Sequence, residues 1–377
     1  MLNSKTEALG IIFPNSYDAM VPELASERLM ASIPFASRYR MCDFILSSMV
    51  HSGIDNISII VRKNYHSLLD HLGAGREWDL VRKNGGLNIV PPFAQKQVKV
   101  FEGRIEALES LRGYLLKQPQ KYVIMTDANI AINFDFNELL DAHIKSGADV
   151  TMMYRKQEIP KAFIRQSRDL YYALGMNGDR VSKIYINPTE EGEMNFSMNI
   201  YVVEREFLIN MIDDAYVHGH TYFVRDLLDK QIDRLDIRGF CYDGYVVNIH
   251  DTQSYFEENM RLLQEENLNA LFSPNQIYTK IRDDNPTRYI NGSKAKNVMV
   301  ADGCVIEGEV ENSVLFRGVH VGKGAKVKNC VLMQDTVVED NASVEYVITD
   351  KNVRVTEGKS LTGNESYQVY VSKGQVV

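Results

Sequence analysis

From Ala8 to about residue 155, apolar runs of four to six residues alternate with stretches whose apolar positions recur at helical spacing. The runs at 8–12, 57–61, 87–90, 121–126 and 149–154 predict buried strands, with helices near 43–52, 65–72, 104–117 and 136–146. Such alternation predicts a mostly parallel, doubly wound α/β sheet, extended by further runs at 183–187 and 198–203. A helix is expected within 251–267, with Asp251 at its N-cap and apolar Tyr255, Met260, Leu262 and Leu263 at roughly helical spacing.

Beyond about residue 270 the pattern changes. The stretch "FSPNQIYTKIRDDNPTRYINGS" is polar and reads as a linker. After it, Val298, Cys304, Val310 and Phe316 fall six apart, then Val321, Val327 and Met333, then Val338 and Val344. A six-residue period cut by Gly, Asn and Asp predicts a hexapeptide parallel β-helix. The register slips by one residue after Phe316 and again after Met333. Gly303, Gly308, Gly318, Gly322 and Gly324 are expected at tight corners.

At 377 residues the chain is long for one core, and two domains are expected. A formal charge of −8 provides no broad basic surface, which argues against nucleic acid or an anionic membrane as partner. Cys42, Cys241, Cys304 and Cys330 are scattered without a CxxC pair and read as reduced packing residues. No apolar stretch approaches the roughly 18 residues that span a bilayer. A cytoplasmic protein is the expectation.

The first strand runs into Phe13-Pro14-Asn15-Ser16-Tyr17-Asp18, and no glycine occurs between Gly10 and Gly53. A phosphate-cradling loop at this place needs glycines, so that backbone N–H groups can approach the ligand. Asp127, in "IMTDANIAI", ends a buried strand, where it can hold a metal or cap the next turn. "GAGREW" (73–78) contains a Gly-x-Gly but lacks the strand order of a dinucleotide fingerprint, and Trp78 reads as core.

Several words of the sequence then point to a family. "IPFASRYRMCDFILSSMVHSGIDNISIIV" (33–61), "YHSLLDHLGAGREWDL" (65–80) and "GGLNIVPPF" (85–93) resemble consecutive segments of the bacterial ADP-glucose pyrophosphorylases, or glucose-1-phosphate adenylyltransferases. "FSMNIYVV" (196–203) and "SYFEENMRLL" (254–263) are similar to later landmarks of that family. The resemblance implies a Rossmann-like nucleotidyltransferase domain over 1–270, a linker over 271–296 and a left-handed parallel β-helix over 297–377. It also implies a reaction in which sugar-1-phosphate attacks the α-phosphate of ATP with Mg²⁺ bridging the phosphates.

The active positions depart from the family one after another. The family's Gly-Gly-x-Gly-x-Arg-Leu loop corresponds to Phe13–Met20, and its lysine to Met30. Its metal-binding Gly-Asp-His aspartate corresponds to Asp127, expected to be vestigial, whereas the partner aspartate corresponds to Asn248. Between a divalent ion and one carboxylate at about 4 Å, the gross Coulomb attraction is roughly 8 kcal/mol at an effective dielectric of 20, so losing one charge matters. The Glu-Lys-Pro triplet corresponds to Ile186-Asn187-Pro188, and Gly-Thr-Ala-x-Ala to "GRIEA" (103–107).

The pattern resembles the GlgD-type regulatory subunit of this family, a companion that pairs with the catalytic subunit and raises its activity in glycogen biosynthesis. No catalytic residue is expected to work, no cofactor to be required, and Mg²⁺ to bind weakly. The implied partners are a catalytic ADP-glucose pyrophosphorylase subunit in a hetero-oligomer, further copies of the chain when it is alone, and a small phosphorylated effector. Arg28, Arg38 and Arg40 are candidates for the effector's phosphate, and the Tyr-Arg-x-x-Asp-Phe word is intact around Arg40. Two alternatives remain: an autonomous nucleotidyltransferase using Asp127 and Asp251, and a β-helix acyltransferase with His320 as general base.

Overall fold

The computed structural model describes residues 7–92, 101, 103–166, 170–190 and 192–377; Phe93, at the end of one family-like segment, lies outside them. The strand Ala8–Phe13 is buried along its whole length and sits between Asn56–Ile60 and Tyr122–Asp127. Both pairings are parallel, and Phe13 lies in register with Asp127. Gly86–Val90 adds a further parallel strand at the edge.

The other half of this nine-stranded sheet is mixed, where the alternation predicted mostly parallel strands. Glu193–Glu204 inserts antiparallel between Tyr122–Asp127 and Val150–Glu158. Val150–Glu158 also pairs in parallel with Ile237–Cys241, and the antiparallel strands Arg180–Ile186 and Tyr172–Asn177 complete the sheet.

Most predicted helices occur within two residues of their expected ends. Met41–His51 starts where the Asp43 carboxylate accepts the Arg40 backbone N–H, a capping box. Phe136–Ser146 is capped by Asp135 and stopped by Gly147 in the left-handed region. The segment 251–267 instead carries two helices, Thr252–Arg261 and Glu265–Phe272, with Asp251 as the expected cap of the first. The helix Arg205–Val217 was not legible because it follows its strand directly, with no Gly or Pro to punctuate the change of period.

Apolar side chains cover both faces of the sheet, and Trp78 is fully buried as expected. A third cluster joins this α/β part to the C-terminal part of the chain: Met30, Phe35, Tyr255 and Leu271 pack with Val314, Phe316, Val331, Met333 and Ile348. Leu271 and Ile277, at the start of the polar connecting stretch, are buried in it.

From Arg288 onward the chain is a parallel β-helix. His320–Val321 pairs with Val337–Val338, and that with Arg354–Val355, each step seventeen residues along the chain. The two slips in the six-residue period, Phe316 to Val321 and Met333 to Val338, therefore fall at the same corner of successive coils. The corner glycines serve two purposes. Gly303, Gly318 and Gly324 have positive φ, but Gly308 and Gly322 do not. A Cβ on Gly308 would lie 2.3 Å from the Ala325 carbonyl oxygen of the next coil. Gly308→Ala is therefore expected to lower stability by about 1–3 kcal/mol in a urea melt.

Candidate functional site

Because Phe13 and Asp127 end neighbouring parallel strands, the loop after Phe13 meets the Asp127 carboxylate at the carboxyl edge of the sheet. Open α/β sheets bind ligands at such an edge. The loop, however, closes on itself. It ends in a short 3-10 helix, Asp18–Met20, preceded by Tyr17 in the left-handed region at φ 64°. The Asp18 N–H donates to Asn15 O, the Met20 N–H to Tyr17 O, and the Met30 N–H to Asp18 Oδ1 at 2.7 Å. Phosphate cradles need N–H groups directed at the ligand, and those of Asp18 and Met20 are already engaged.

Tyr17 occupies the space instead. Its buried ring packs edge-on to Phe163, with centroids 5.3 Å apart. Its hydroxyl donates to Leu170 O at 3.2 Å and accepts from Asn199 Nδ2 at 2.7 Å. Tyr17 and Asn199 both line two cavities and stand between them. One cavity, about 130 Å³, contains Asp127; the other, about 10 Å³, contains Asn248. The second has room for about one water.

Asp127 itself is fully buried. Ser16 Oγ donates to its Oδ1 at 2.7 Å, and the Arg104 guanidinium pairs with the same oxygen. Asp127 Oδ2 is buried with no hydrogen-bond partner. Arg104 Cζ lies 4.8 Å from the Phe13 ring centroid and 5.7 Å from that of Tyr201. Burial alone would lower the Arg104 pKa, but the Asp127 carboxylate together with Tyr201, Tyr17 and Tyr172 outweighs it and holds the guanidinium above its ordinary value. Arg104 heads the helix Arg104–Leu115. The glycine before it is needed for room, since a Cβ on Gly103 would lie 2.2 Å from Thr221 O.

The other predicted positions lie apart. Asn248 Oδ1 accepts from Asn129 Nδ2 at 3.1 Å. Met30 is buried in the cluster shared with the β-helix, and neither cavity includes it or Asn187 among its walls. Asn187, at φ 47°, exchanges hydrogen bonds with the Tyr171 backbone at 2.9 Å in both directions. Asp251 is spent as a cap, accepting the Ser254 N–H at 2.6 Å. His320 Nε2 lies 3.9 Å from Glu307 Oε2 on the β-helix.

The arginine candidates divide between two environments. Arg28 is buried and donates both to Asp350 Oδ1 at 2.7 Å and to Oδ2 at 2.9 Å, across the boundary between the α/β part and the β-helix. Arg38 and Arg40 line a cleft of about 420 Å³ at that boundary. Arg40 Nη1 donates to the Ser67 carbonyl at 2.7 Å and to Ser67 Oγ at 2.8 Å, while Arg38 is 3.9 Å from Asp302. Four further cations share the cleft: Lys280 and Arg282 from the connecting stretch, and Arg317 and Lys351 from the β-helix. They come from segments far apart in sequence, so no local motif signals them. Burial, followed by the charges of Arg40 and Arg28, pushes Lys351 down to about 7. Burial and Arg38 likewise lower Arg317. Crowded, partly desolvated cations of this kind favour an anion.

Comparison with known proteins adds the lineage. Residues 23–265 match the nucleotidyl transferase family, and residues 281–370 match the GlmU-like C-terminal hexapeptide family. The glycogen biosynthesis protein GlgD of Bacillus subtilis (strain 168) is 33% identical over 374 residues, covering 98% of this chain and 97% of its own. GlgD of Geobacillus stearothermophilus is 35% identical, covering 85% of this chain and 82% of its own. A glucose-1-phosphate adenylyltransferase of Geobacillus stearothermophilus is 30% identical, covering 86% of this chain and 84% of its own. No helix among the described residues is long and apolar enough to cross a membrane. The chain belongs to the nucleotidyl transferase family, alongside the GlgD glycogen biosynthesis proteins and the glucose-1-phosphate adenylyltransferases.

Proposed function

We propose that the chain is a catalytically degenerate, regulatory subunit of glucose-1-phosphate adenylyltransferase, which binds the catalytic subunit and raises ADP-glucose synthesis in glycogen biosynthesis. The observation that supports this most directly is Tyr17. It stands between Asp127 and Asn248, in the loop where a triphosphate cradle would be. Transfer to a phosphate needs the triphosphate's charge neutralised and its α-phosphate held in line, and neither group can be met at once from one cavity. Asp251 gives the autonomous-enzyme reading no second carboxylate, because it is a helix cap. The test is pyrophosphate release from ATP and glucose-1-phosphate, by the chain alone and with a catalytic relative.

The cleft of Arg38, Arg40 and Lys351 is the proposed effector site, taking a small phosphorylated metabolite. Arg28 contributes indirectly, through its pair with Asp350 beside Lys351. The groups that act on the Lys351 charge are Arg40, Arg28, Asp350 and Lys373. With its pKa near 7, Lys351 is largely neutral at pH 8 and largely charged at pH 6. Anion affinity is therefore expected to rise as pH falls through this window, roughly fivefold to tenfold from pH 8 to 6. Calorimetric titration with sulfate, which stays dianionic throughout, measures this at fixed ionic strength. Lys351→Gln is expected to flatten the profile, and a wild-type affinity that does not change with pH would refute the assignment.

A further inference from the structure

The family's chemistry implies a divalent ion at Asp127, and the residues present do not fit one. Mg²⁺ sites usually combine one or two carboxylates with phosphate oxygens and retained waters in near-octahedral geometry. Among the described residues Asp127 is the single carboxylate lining its cavity, and its Oδ1 is already taken by Ser16 and Arg104. Asn248, the position that would supply the second charge, belongs to the other cavity.

We infer that Arg104 is a built-in cation that replaces the divalent ion at Asp127 and excludes it from the pocket. Three observations place the guanidinium there firmly. It is paired with a fully buried carboxylate, it lies against the faces of Phe13 and Tyr201, and only 18% of its side chain is exposed. As the first residue of its helix, Arg104 is poorly placed with respect to the helix dipole, which favours an anion at that end. The ion pair and the aromatic faces therefore hold it, rather than the helix. A metal entering the pocket would have to displace a fixed positive charge from the Asp127 carboxylate.

The unpartnered Asp127 Oδ2 is what remains of a ligand position. Removing the guanidinium leaves a buried carboxyl with no counter-charge, which is neutralised either by a proton or by a cation, so that a divalent ion then competes only with a proton for the site. A threonine stands at the Arg104 position in the family's Gly-Thr-Ala-x-Ala word, so Arg104→Thr is the informative substitution.

The experiment titrates the full chain with Mn²⁺ alone and follows free Mn²⁺ by electron paramagnetic resonance, with no nucleotide and no turnover. The wild-type chain is expected to show no saturable site below about 1 mM, and Arg104→Thr to bind at least about tenfold more tightly, the scale on which neighbours of metal ligands act. Adding Asp127→Asn to Arg104→Thr is expected to abolish that gain. Arg104→Lys, which keeps a cation on a similar stem, is expected to behave like wild type. A saturable wild-type site that Asp127→Asn removes would overturn the inference, whether or not Arg104→Thr folds. So would a folded Arg104→Thr chain with unchanged Mn²⁺ affinity. The outcome is independent of whether a catalytic partner is activated, so it can fail while the regulatory reading stands.

Discussion

Given ATP, glucose-1-phosphate and Mg²⁺, the chain alone is expected to release pyrophosphate at no more than about a thousandth of the rate of a catalytic relative. Losing a single preorganised donor to a developing charge costs about 10²–10³ in rate. Here the Asp18 and Met20 N–H groups of the loop are engaged by its own carbonyls, Asp127 is paired with Arg104, and Asn248 stands where the resemblance expects a second aspartate. Added to a catalytic relative, the same chain is expected to raise that relative's rate. Robust turnover by the chain alone, or no change in the partner, would sink the proposed function. Asn248→Asp is expected to recover less than about tenfold. The new carboxylate would face the smaller cavity, with Tyr17 still between it and Asp127.

The second large effect is on stability. Arg28 and Asp350 are respectively 3% and 1% exposed, and they tie the segment after the altered loop to the β-helix. Tyr370 Oη lies 3.0 Å from Asp350 Oδ2, and the Lys351 N–H donates to Oδ1 at 2.7 Å. Arg28→Ala leaves a buried carboxylate without its counter-ion and is expected to cost about 3–5 kcal/mol, read from urea melts. The double variant Arg28→Met, Asp350→Asn removes both charges, the new amide oxygen keeping an acceptor for the Lys351 N–H while the NH2 can donate to the Tyr370 hydroxyl. It is expected to recover more than half of that loss, because the penalty comes chiefly from stranding one charge. If the double variant were as unstable as the single one, packing around the Arg28 stem would be the larger contribution.

Much of the architecture could be read from the chain because it rests on periodicity. The strand at Ala8–Phe13 is an unbroken apolar run, and the β-helix repeats its buried valines. The mixed half of the sheet could not be read, because a run such as "FSMNIYVV" has the same pattern whether its neighbours run parallel or antiparallel. At the site, the sequence marked the positions that differ from the family but not what fills them. Arg104 was visible as part of "GRIEA", yet nothing local says that its side chain reaches Asp127. Tyr17 was visible as a residue of a glycine-free loop, without any sign that it would stand between two cavities. Lys280, Arg317 and Lys351 converge on the cleft only through the docking of the β-helix. Long-range convergence of this kind leaves no trace in spacing.

The stacked corners of the β-helix also govern how its gene can drift. Gly318, Asp335 and Asn352 adopt left-handed conformations directly above one another, as do Asn312, Asn329 and Tyr346. A one-codon insertion inside a coil would shift every later corner out of its column and place a strand residue where the chain must turn. Loss or duplication of a full seventeen-residue coil would leave all remaining corners aligned. Two steps depart from this length: fifteen residues from Val305 to its partner His320, and twenty-two from Val347 to its partner Val369 at the C-terminal end. Across the coils from His320 to Val355, which keep the seventeen-residue step, length variation is thereby quantised.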